Sequence, residues 1–417
     1  MTTSAGAPFS AAVTRPDYRP NRDLLVNARR DGVRHGLDKT FVVDVDCHIM
    51  ETVYLQDIAR YIPDARVRQQ ITGATGARDM LLPASYGDRE VGGRIFRDAH
   101  VAGTGGEISI EDFLADMDQL CIDIGVIFPT PMLSLGLNPQ VEVEVALAQG
   151  YNRWLIDEYL SRSDRFTSML YLPISDPEAA LREVEELGQR RGVVGFMVTS
   201  VRRAPVYHRS MFPIYRALEE RSLPLAFHGG PRWERDSMSG QLNRFLSAHA
   251  LDFPLFNIVH MMNLIVNGIP ERFPGLDLLF LEGGLSYLFF VAERLDHEFM
   301  MRPSEAPLLK GLPSDYMRRF YYGTQPIECA MSDERMEMLF DLLHGETQFL
   351  YSSDYPHWDF DVPSRILRFP FLGEEAAKNI LGENARRLFG LGPPAAPGSG
   401  AASGRADGLQ ARPPGAE

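Results

Sequence analysis

The chain has few cysteines and no long apolar segment. Its three cysteines, Cys47, Cys121 and Cys329, are far apart and form no CxxC pair, so the sequence predicts neither a disulfide framework nor a thiolate zinc site. There is no run of about 18 apolar residues, and the first residues lack the apolar core of a secretory signal. We therefore expect no membrane span, no export and a reducing, cytoplasmic location.

Positive charge is also scarce. The 417 residues include 42 Lys plus Arg against 56 Asp plus Glu, which gives a formal net charge of -14. A protein that binds nucleic acid irrespective of its sequence needs a basic surface, so this class is excluded. The apolar fraction of 45% is sufficient for a large core. These numbers indicate a globular protein.

The distribution of residue types predicts one domain between two tails. Residues 1–39 are rich in small residues, Pro and Arg, and residues 394–417 are of low complexity, so both are predicted to be mobile. Residues 40–393 contain no Gly/Ser linker, which favours a single domain. Residues 58–112 interrupt the pattern of strands and helices and are predicted to be an insertion that acts as a lid or a substrate-recognition element.

Eight short β-rich segments alternate with helical patterns. They cover residues 41–46, 127–132, 166–173, 193–200, 223–229, 276–283, 320–325 and 348–354. Apolar strands that alternate with helices indicate a parallel sheet buried on both faces, and eight units favour closure. We predict an α/β fold, a distorted (β/α)₈ TIM barrel with an insertion after strand 1. A doubly wound open sheet is the alternative, but no GxGxxG follows the first strand.

Polar side chains end three of the predicted strands. Alternation in VVDVDCHIME places Asp44, Asp46 and His48 on one face. A carboxylate inside an apolar barrel is costly unless it is paired or binds a metal; an Asp–His hydrogen bond at a polar strand end is the alternative. His228 ends the fifth strand and Asp354 the eighth. Together with Asp46 and His48 they supply the mixed ligands that hold one divalent cation, Zn²⁺, Mn²⁺ or Fe²⁺.

With these residues the sequence resembles the amidohydrolase-related family, which includes aminocarboxymuconate-semialdehyde decarboxylase and the resorcylate decarboxylases. The resemblance covers residues 40–393. Its motifs are D-x-D-x-H-x-x-E at 44–51, HGG at 228–230, SDYPHWD at 353–359 and NILGENARRLFGL at 379–391. The resemblance implies that Asp46 and His48 are the metal ligands of the first strand, His228 that of the fifth and Asp354 that of the eighth. It also implies a homodimer; the stretch SYLFFVAERLDHEFMMRP is either an outward apolar surface for this contact or part of the core.

The sequence departs from the family pattern at two positions. The first ligand is Asp46 rather than histidine, which leaves the metal open, with Zn²⁺ preferred. Many relatives have a histidine at the end of strand six, implicated in catalysis in the decarboxylases, where this chain has Glu282. Alternation in LLFLEGG points Glu282 inward, so we predict that it acts as a base or orients His228. A salt bridge to Arg294 is the alternative.

Other candidates lie in the loops that follow the strands. His357 is a candidate catalytic residue, and a packing role in the Pro-His-Trp turn is its alternative. The candidate substrate-binding residues are Arg202 with Arg203, Arg232, Trp233, His260 and Trp358. The arginines are suited to bind a substrate carboxylate, although a solvated loop charge is the simpler explanation for each. His260 lies among apolar residues at helical spacing, so a core role is nearly as well supported.

Three functions remain open on the sequence. The leading hypothesis is hydrolysis of a C–N or C–C bond in a small organic substrate, a carboxylate or an aromatic compound. The metal or His357 polarises the substrate carbonyl, and Asp354 or Glu282 takes a proton from metal-activated water. The second is non-oxidative decarboxylation of an aromatic or unsaturated acid, in which Asp354 or another acid protonates the ring carbon. The third, from another class, is an inactive barrel that serves as a binding protein.

Overall fold

One eight-stranded parallel sheet lies at the centre of the protein, and its strands are ordered as in the chain. In this computed structural model the described residues are 21–73, 108–199, 205–229, 241–242, 244–328, 332–357 and 359–392. The strands are β1 (Val43–Ile49), β2 (Ile124–Pro129), β3 (Phe166–Tyr171), β4 (Val193–Val198), β5 (Leu225–Phe227), β6 (Leu278–Phe280), β7 (Tyr321–Gly323) and β8 (Phe349–Leu350).

Helices follow the strands and cover the outside of the sheet. In chain order the α-helices of the described ranges are α1 (Asn21–Arg34), α2 (Leu55–Arg60), α3 (Ala65–Gly73), α4 (Ile110–Leu120), α5 (Val141–Trp154), α6 (Pro177–Leu187), α7 (Phe212–Glu220), α8 (Phe245–Val266), α9 (Ile269–Arg272), α10 (Tyr287–Met301), α11 (Pro313–Met317), α12 (Asp333–Leu343), α13 (Gly345–Gln348), α14 (Glu374–Lys378) and α15 (Asn384–Phe389). None of these helices combines the length and apolarity needed to span a bilayer.

Local sequence signals explain where several helices begin. The Asp176 side chain accepts hydrogen bonds from the backbone N–H groups of Glu178 and Ala179, and Pro177 occupies the first helical position of α6. Ser109 caps α4 in the same way by accepting from Asp112 N at 3.0 Å. Such caps satisfy N–H groups that have no partner inside the helix. These two helices therefore begin directly after the residues whose side chains cap them.

Backbone hydrogen bonds close the sheet between its first and last strands. Val45 N donates to Tyr351 O at 3.0 Å, and Asp354 N donates to Asp46 O at 2.9 Å. The Asp44 carboxylate accepts from the backbone N–H of Ser353 at 2.8 Å and from the Ser353 hydroxyl. The predicted TIM barrel is confirmed, and the doubly wound open sheet is excluded. Asp44 is used for this closure, because its carboxylate is bonded to Ser353.

The prediction that the N-terminal tail is mobile is wrong for residues 21–39. Helix α1 and a 3₁₀ turn at Leu37–Lys39 cover this segment, and Leu25 and Leu37 belong to the buried core. The Asp31 carboxylate accepts from the Ser364 hydroxyl at 2.6 Å and from Arg368 at 2.9 Å. The apolar residues are too sparse to show periodicity, and the helix is held by contacts with distant residues. Residues 1–20 and 394–417 lie outside the described residues.

Part of the predicted insertion is described. Residues 58–73 include α3, whose Val67 and Ile71 side chains are buried in the core. The segment ends in α4, which buries Phe113 and Met117. Both flanks are therefore packed parts of the barrel, because their apolar residues recur at helical spacing. Residues 74–107 lie outside the described residues, and the lid function stays a prediction.

Candidate metal centre

Two strand ends bring three potential metal ligands together. Asp46 and His48 are on β1, and His228 directly follows β5. His228 Nε2 lies 3.0 Å from Asp46 Oδ1 and 3.1 Å from His48 Nε2, and His48 Nε2 lies 3.1 Å from Asp46 Oδ1. All three residues are fully buried. The carboxyl-terminal ends of β1 and β5 thus present two imidazole nitrogens and one carboxylate oxygen to a common point.

Asp354 adds a second carboxylate to this cluster. Its Oδ1 lies 3.3 Å from His48 Nε2, and its Oδ2 accepts a hydrogen bond from Gln325 Nε2 at 3.3 Å. Asp354 has a φ of 65°, in the left-handed region that non-glycine residues seldom adopt. Strain of this kind occurs where surrounding contacts enforce it, often at functional sites. The chain after β8 therefore bends and turns the carboxylate towards His48.

The separations between these atoms fit a shared cation. Ligand atoms about 2.1 Å from one metal ion lie about 3.0–3.4 Å apart at octahedral or tetrahedral angles. The measured separations of 3.0 Å to 3.3 Å fall in this range. Moreover, Asp46 Oδ2 is buried without a hydrogen-bond partner among the described residues, which is costly unless another group satisfies it. Asp46, His48 and His228 therefore fit a single divalent cation, and Asp354 adjoins them through its contact with His48.

The hydrogen bonds of His48 direct its free nitrogen into the cluster. His48 Nδ1 lies 2.9 Å from Pro129 O, and a carbonyl oxygen can only accept, so Nδ1 carries the proton. The Nε2 lone pair then faces Asp46 and Asp354. Burial lowers the pKa of His48, so the neutral form that binds metals is favoured. The carbonyl of the last residue of β2 thereby selects the tautomer that a metal ligand requires.

Carboxylates in the cluster experience opposing electrostatic effects. Burial acts to raise the pKa of Asp46, but the charge and hydrogen bonds of His228 and His48 outweigh it and hold this pKa below its ordinary value. Burial, followed by repulsion from Glu282 and Asp359, raises the pKa of Asp354. Crowded buried carboxylates are stabilised by a cation. The pKa shift of Asp354 and the distances between the ligand atoms thus both favour a bound cation.

His357 lies beside the cluster, and its catalytic role stays a prediction. Its Nδ1 is 2.5 Å from Asp354 Oδ1, and its ring stacks on that of His48 with 4.3 Å between centroids. Its Nε2 is 3.2 Å from the Thr130 hydroxyl. The His357 side chain is 19% exposed, whereas that of Asp354 is 1% exposed. His357 therefore connects a buried carboxylate with the more accessible side of the site.

Glu282 also lies at the cluster. It follows β6 with a φ of 52°, and its Oε2 is 3.5 Å from His228 Nδ1. Arg294, the alternative partner considered for Glu282, is 2.8 Å from Glu298. The left-handed backbone at Glu282 places the carboxylate next to the ring nitrogen that faces away from Asp46. The role of Glu282 in orienting His228 or as a base stays a prediction.

The predicted substrate-binding residues are less well defined. His260 is 7% exposed and stacks on Phe227 at 5.4 Å, with Phe256 edge-on at 4.4 Å. These are packing contacts, as the alternative explanation expected. Arg202, Arg203, Arg232, Trp233 and Trp358 lie outside the described residues, so their predicted roles stay predictions.

Three further residues lie at the cluster or next to it, and they were not identified as site residues from the sequence. Gln325 contacts Asp354, Thr130 contacts His357, and Glu51 bonds the backbone of Thr130. Glu51 is the last residue of the D-x-D-x-H-x-x-E motif, so a signal for it was present. Thr130 directly follows β2 and Gln325 follows β7 by two residues. Their position after barrel strands is the signal that could have identified them.

A parallel (β/α)₈ barrel with histidine and carboxylate side chains at the carboxyl-terminal strand ends defines the class of metal-dependent barrel enzymes. Within this class, the family model described as Amidohydrolase matches residues 43–391, and the chain belongs to this family. The resemblance seen in the sequence is thereby confirmed.

Relatives of the chain include decarboxylases. It is 24% identical over 285 residues to 2-amino-3-carboxymuconate-6-semialdehyde decarboxylase of Dictyostelium discoideum, covering 67% of this chain and 76% of the relative. It is 24% identical over 266 residues to gamma-resorcylate decarboxylase of Rhizobium radiobacter, covering 61% and 79%. The family and these relatives confirm that the protein is an enzyme.

A solved structure shows the same fold. It is dihydroxybenzoic acid decarboxylase from Polaromonas sp. JS666, which contains manganese and the inhibitor 2-nitroresorcinol. The TM-score is 0.61 at 19% sequence identity, and the alignment covers 84% of this chain and 97% of that chain. Fold similarity at this identity concerns the barrel alone.

Proposed function

We propose that the protein is a metal-dependent carboxy-lyase that removes CO₂ from a small aromatic or unsaturated acid without an oxidant. The observation that carries this proposal is the 2.5 Å contact between His357 Nδ1 and Asp354 Oδ1, beside His48 Nε2. Such a pair holds a proton next to the point where the substrate would be bound. The decarboxylase relatives support this reaction over hydrolysis.

In the proposed reaction, some residues of this chain hold the metal and others hold the proton. A divalent cation held by Asp46, His48, His228 and Asp354 would supply a Lewis acid that binds and polarises substrate oxygens. His357 and Asp354 hold the proton that is delivered to the substrate carbon. The C–C bond to the carboxylate breaks, its electron pair stays on that carbon and accepts the proton, and CO₂ leaves. His357, the more exposed partner, then regains a proton from solvent.

We propose Mn²⁺ as the preferred cation and Zn²⁺ as its competitor. Two carboxylates, Asp46 and Asp354, contribute to the cluster, and Glu282 lies within reach of His228. Oxygen-rich sites suit harder ions such as Mn²⁺, and the Polaromonas decarboxylase contains manganese. The sequence alone favoured Zn²⁺. Metal analysis of the purified protein distinguishes the two.

Hydrolysis is the second candidate because of Glu282. Many relatives have a histidine here, whereas this chain places a carboxylate with Oε2 3.5 Å from His228 Nδ1. A carboxylate at this position is suited to remove a proton from an attacking water. The substrate would then be a small amide, ester or lactone rather than an acid that loses CO₂.

The test is a comparison of two substrate panels with metal-loaded protein. Hydroxybenzoic and unsaturated dicarboxylic acids are incubated in D₂O, and CO₂ release and deuterium at the vacated carbon are measured. Amides, esters and lactones are incubated in ¹⁸O-labelled water. Asp354→Asn should abolish the reaction, whereas the exposed control Asp341→Asn should not. Label uptake only in the second panel establishes hydrolysis. Stoichiometric metal without turnover in either panel supports the inactive binding barrel.

A further inference from the structure

We infer that Thr130 and Glu51 are positioning residues of this site. Glu51 fixes the backbone of Thr130, and the Thr130 hydroxyl holds the His357 ring in the orientation that meets Asp354. The inference deepens the proposed function and rests on it for the role of His357 in proton transfer. The orientation of the His357 ring, by contrast, is inferred only from contacts between residues of this chain.

Glu51 is a fully buried carboxylate with backbone partners in the next loop. It follows His48 by three residues and begins the 3₁₀ turn Glu51–Tyr54. Its two oxygens accept from Thr130 N at 2.9 Å and from Met132 N at 2.6 Å. A buried carboxylate is tolerated when hydrogen bonds satisfy it. Glu51 therefore ties the loop after β2 to the loop after β1.

The Thr130 hydroxyl has one proton and two imidazole neighbours. It lies 3.2 Å from His357 Nε2 and 3.4 Å from His48 Nδ1. His48 Nδ1 donates to the nearer Pro129 O at 2.9 Å. The Thr130 hydroxyl is thus available to donate to His357 Nε2, while His357 Nδ1–H donates to Asp354 Oδ1 at 2.5 Å. The three residues form a continuous hydroxyl, imidazole and carboxylate chain, an order also used in catalytic triads.

Stacking alone does not set the orientation of His357. The ring lies against His48 at 4.3 Å with an interplanar angle of 30°. A 180° rotation about the Cβ–Cγ bond would preserve this stack but would place carbon atoms where Nδ1 and Nε2 now lie. Hydrogen bonds at both ring nitrogens exclude that rotation. Asp354 satisfies one of them and Thr130 the other, so loss of the hydroxyl frees one end of the ring.

The decisive experiment compares Thr130→Val, which keeps the shape and removes the hydroxyl, with Thr130→Ser, which keeps the hydroxyl. Protein labelled with ¹⁵N-histidine reports tautomer and ring hydrogen bonding through its Nδ1 and Nε2 resonances, and His357→Gln assigns those of His357. In metal-free protein and in protein loaded with diamagnetic Zn²⁺, Thr130→Val should shift or broaden the His357 Nε2 resonance, and Thr130→Ser should restore it. Thr72→Val, which removes a hydroxyl bonded to Arg68 O, is the control. Unchanged His357 resonances in Thr130→Val would overturn the inference.

Glu51 is tested by Glu51→Gln, which keeps the shape but presents an amide N–H₂ to one backbone N–H. We expect the same displacement of the His357 Nε2 resonance as in Thr130→Val. If this variant does not fold, Glu51→Asp, which keeps the charge and shortens the reach, is measured instead. His357 resonances identical to wild type in the folded variant would remove Glu51 from the inference.

The activity measurement separates this inference from the proposed function. On a substrate found in the panels, Thr130→Val should lower kcat by about 10- to 100-fold with little change in KM, because the variant loses the positioning of the ring but not the whole contribution of proton transfer, which is about 10²- to 10⁴-fold. Thr130→Ser should recover most of it. If wild type turns over no substrate, the proposed function fails, while the histidine resonances still decide the role of Thr130. Equal losses of kcat in Thr130→Val and Thr130→Ser would contradict a role for the hydroxyl.

Discussion

At the scale of single residues, hydrogen bonds and burial determine how each side chain of the cluster can act. His48 is held by Pro129 O through Nδ1, and its Nε2 is left for the cation. His228 has Asp46 at one ring nitrogen and Glu282 at the other. Asp354 is bonded by His357 and Gln325. The cluster is therefore supported by neighbouring residues, a feature of metal sites that keep their ligands in place.

Removal of His228 should remove the metal. His228→Ala leaves Asp46, His48 and Asp354 as ligands and opens a buried cavity, so the metal content should fall from about one equivalent to near zero. Elemental analysis after gel filtration measures this. The exposed His297 on α10 provides the matched control, His297→Ala, which should keep the wild-type content. Full metal content in His228→Ala would place the ligands elsewhere.

Substitution of Glu282 should distinguish orientation from base catalysis. In Glu282→Gln the shape is retained but the carboxylate beside His228 Nδ1 is lost. If Glu282 orients His228, as we expect, the Kd for the metal should rise about 10- to 100-fold. An unchanged Kd with turnover reduced about 10²- to 10⁴-fold would instead identify a general base and favour hydrolysis. Wild-type values for both would show that Glu282 is structural.

Glu51 should make folding stability depend on pH. Burial raises its pKa to about 7 from an ordinary value of 4.5, against the opposing hydrogen bonds of Thr130 and Met132. Because the folded state then binds the proton more tightly, this contribution to the free energy of unfolding is complete below pH 4.5 and decreases as pH rises towards 7. The decrease is roughly 3 kcal/mol, at about 1.4 kcal/mol per pH unit. Urea titrations of wild type and Glu51→Gln should show a steeper decline in wild type; parallel curves would contradict it.

At the scale of elements, short strands and the loops after them build the site. β8 comprises only Phe349–Leu350, although the sequence predicted a strand over 348–354. After Leu350 the backbone N–H of Tyr351 donates to Ile380 O and that of Ser352 to the Thr324 hydroxyl instead of continuing the ladder with β7. β5 and β6 end at Phe227 and Phe280, just before His228 and Glu282. Alternation along a strand predicted the inward direction of Glu282, but the final orientation depends on the bend after the strand.

The segment formed by helix α1 and the 3₁₀ turn after it was not predicted from the sequence, and its contribution to stability is testable. Leu37, which follows α1, is 3% exposed and belongs to the core. Leu37→Ala should lower the free energy of unfolding by about 2–3 kcal/mol, as expected when a buried leucine is truncated. Val33 in α1 is 46% exposed, so Val33→Ala should change it by less than about 0.5 kcal/mol. Urea denaturation measures both. Equal, negligible effects would show that this segment is loosely attached.

At the scale of the whole molecule, the barrel brings residues from β1, β5 and β8 to one point. Asp46 and His228 are far apart in the chain, yet His228 Nε2 lies 3.0 Å from Asp46 Oδ1. This convergence follows from closure, since an open sheet would separate β1 from β8. The bonds from Val45 to Tyr351 and from Asp354 to Asp46 therefore support the fold and the site together.

The outer surface supports the prediction of a homodimer. Phe290, Met300 and Met301 on α10 are 57%, 64% and 69% exposed, and exposed apolar patches often mark interfaces. We expect a dimer in sedimentation experiments at micromolar concentration. Phe290→Lys with Met301→Lys should shift it to monomer, because burial of two charges at the interface is unfavourable. The control is Met338→Lys on α12, 61% exposed and away from α10. A wild-type monomer would reject the dimer.

The amino-acid sequence by itself determined the barrel, its eight strands and the approach of Asp46, His48 and His228 to one point. Strand alternation and the position of polar residues after apolar runs are local properties, so they can be recognised without a structure. Tertiary structure decided the rest. Asp44 bonds Ser353 instead of joining the cluster, α1 is held by Ser364 and Arg368, and Thr130 meets His357 across 227 positions of the chain. These contacts join residues that carry no shared local pattern, and only closure of the barrel brings them within hydrogen-bond distance.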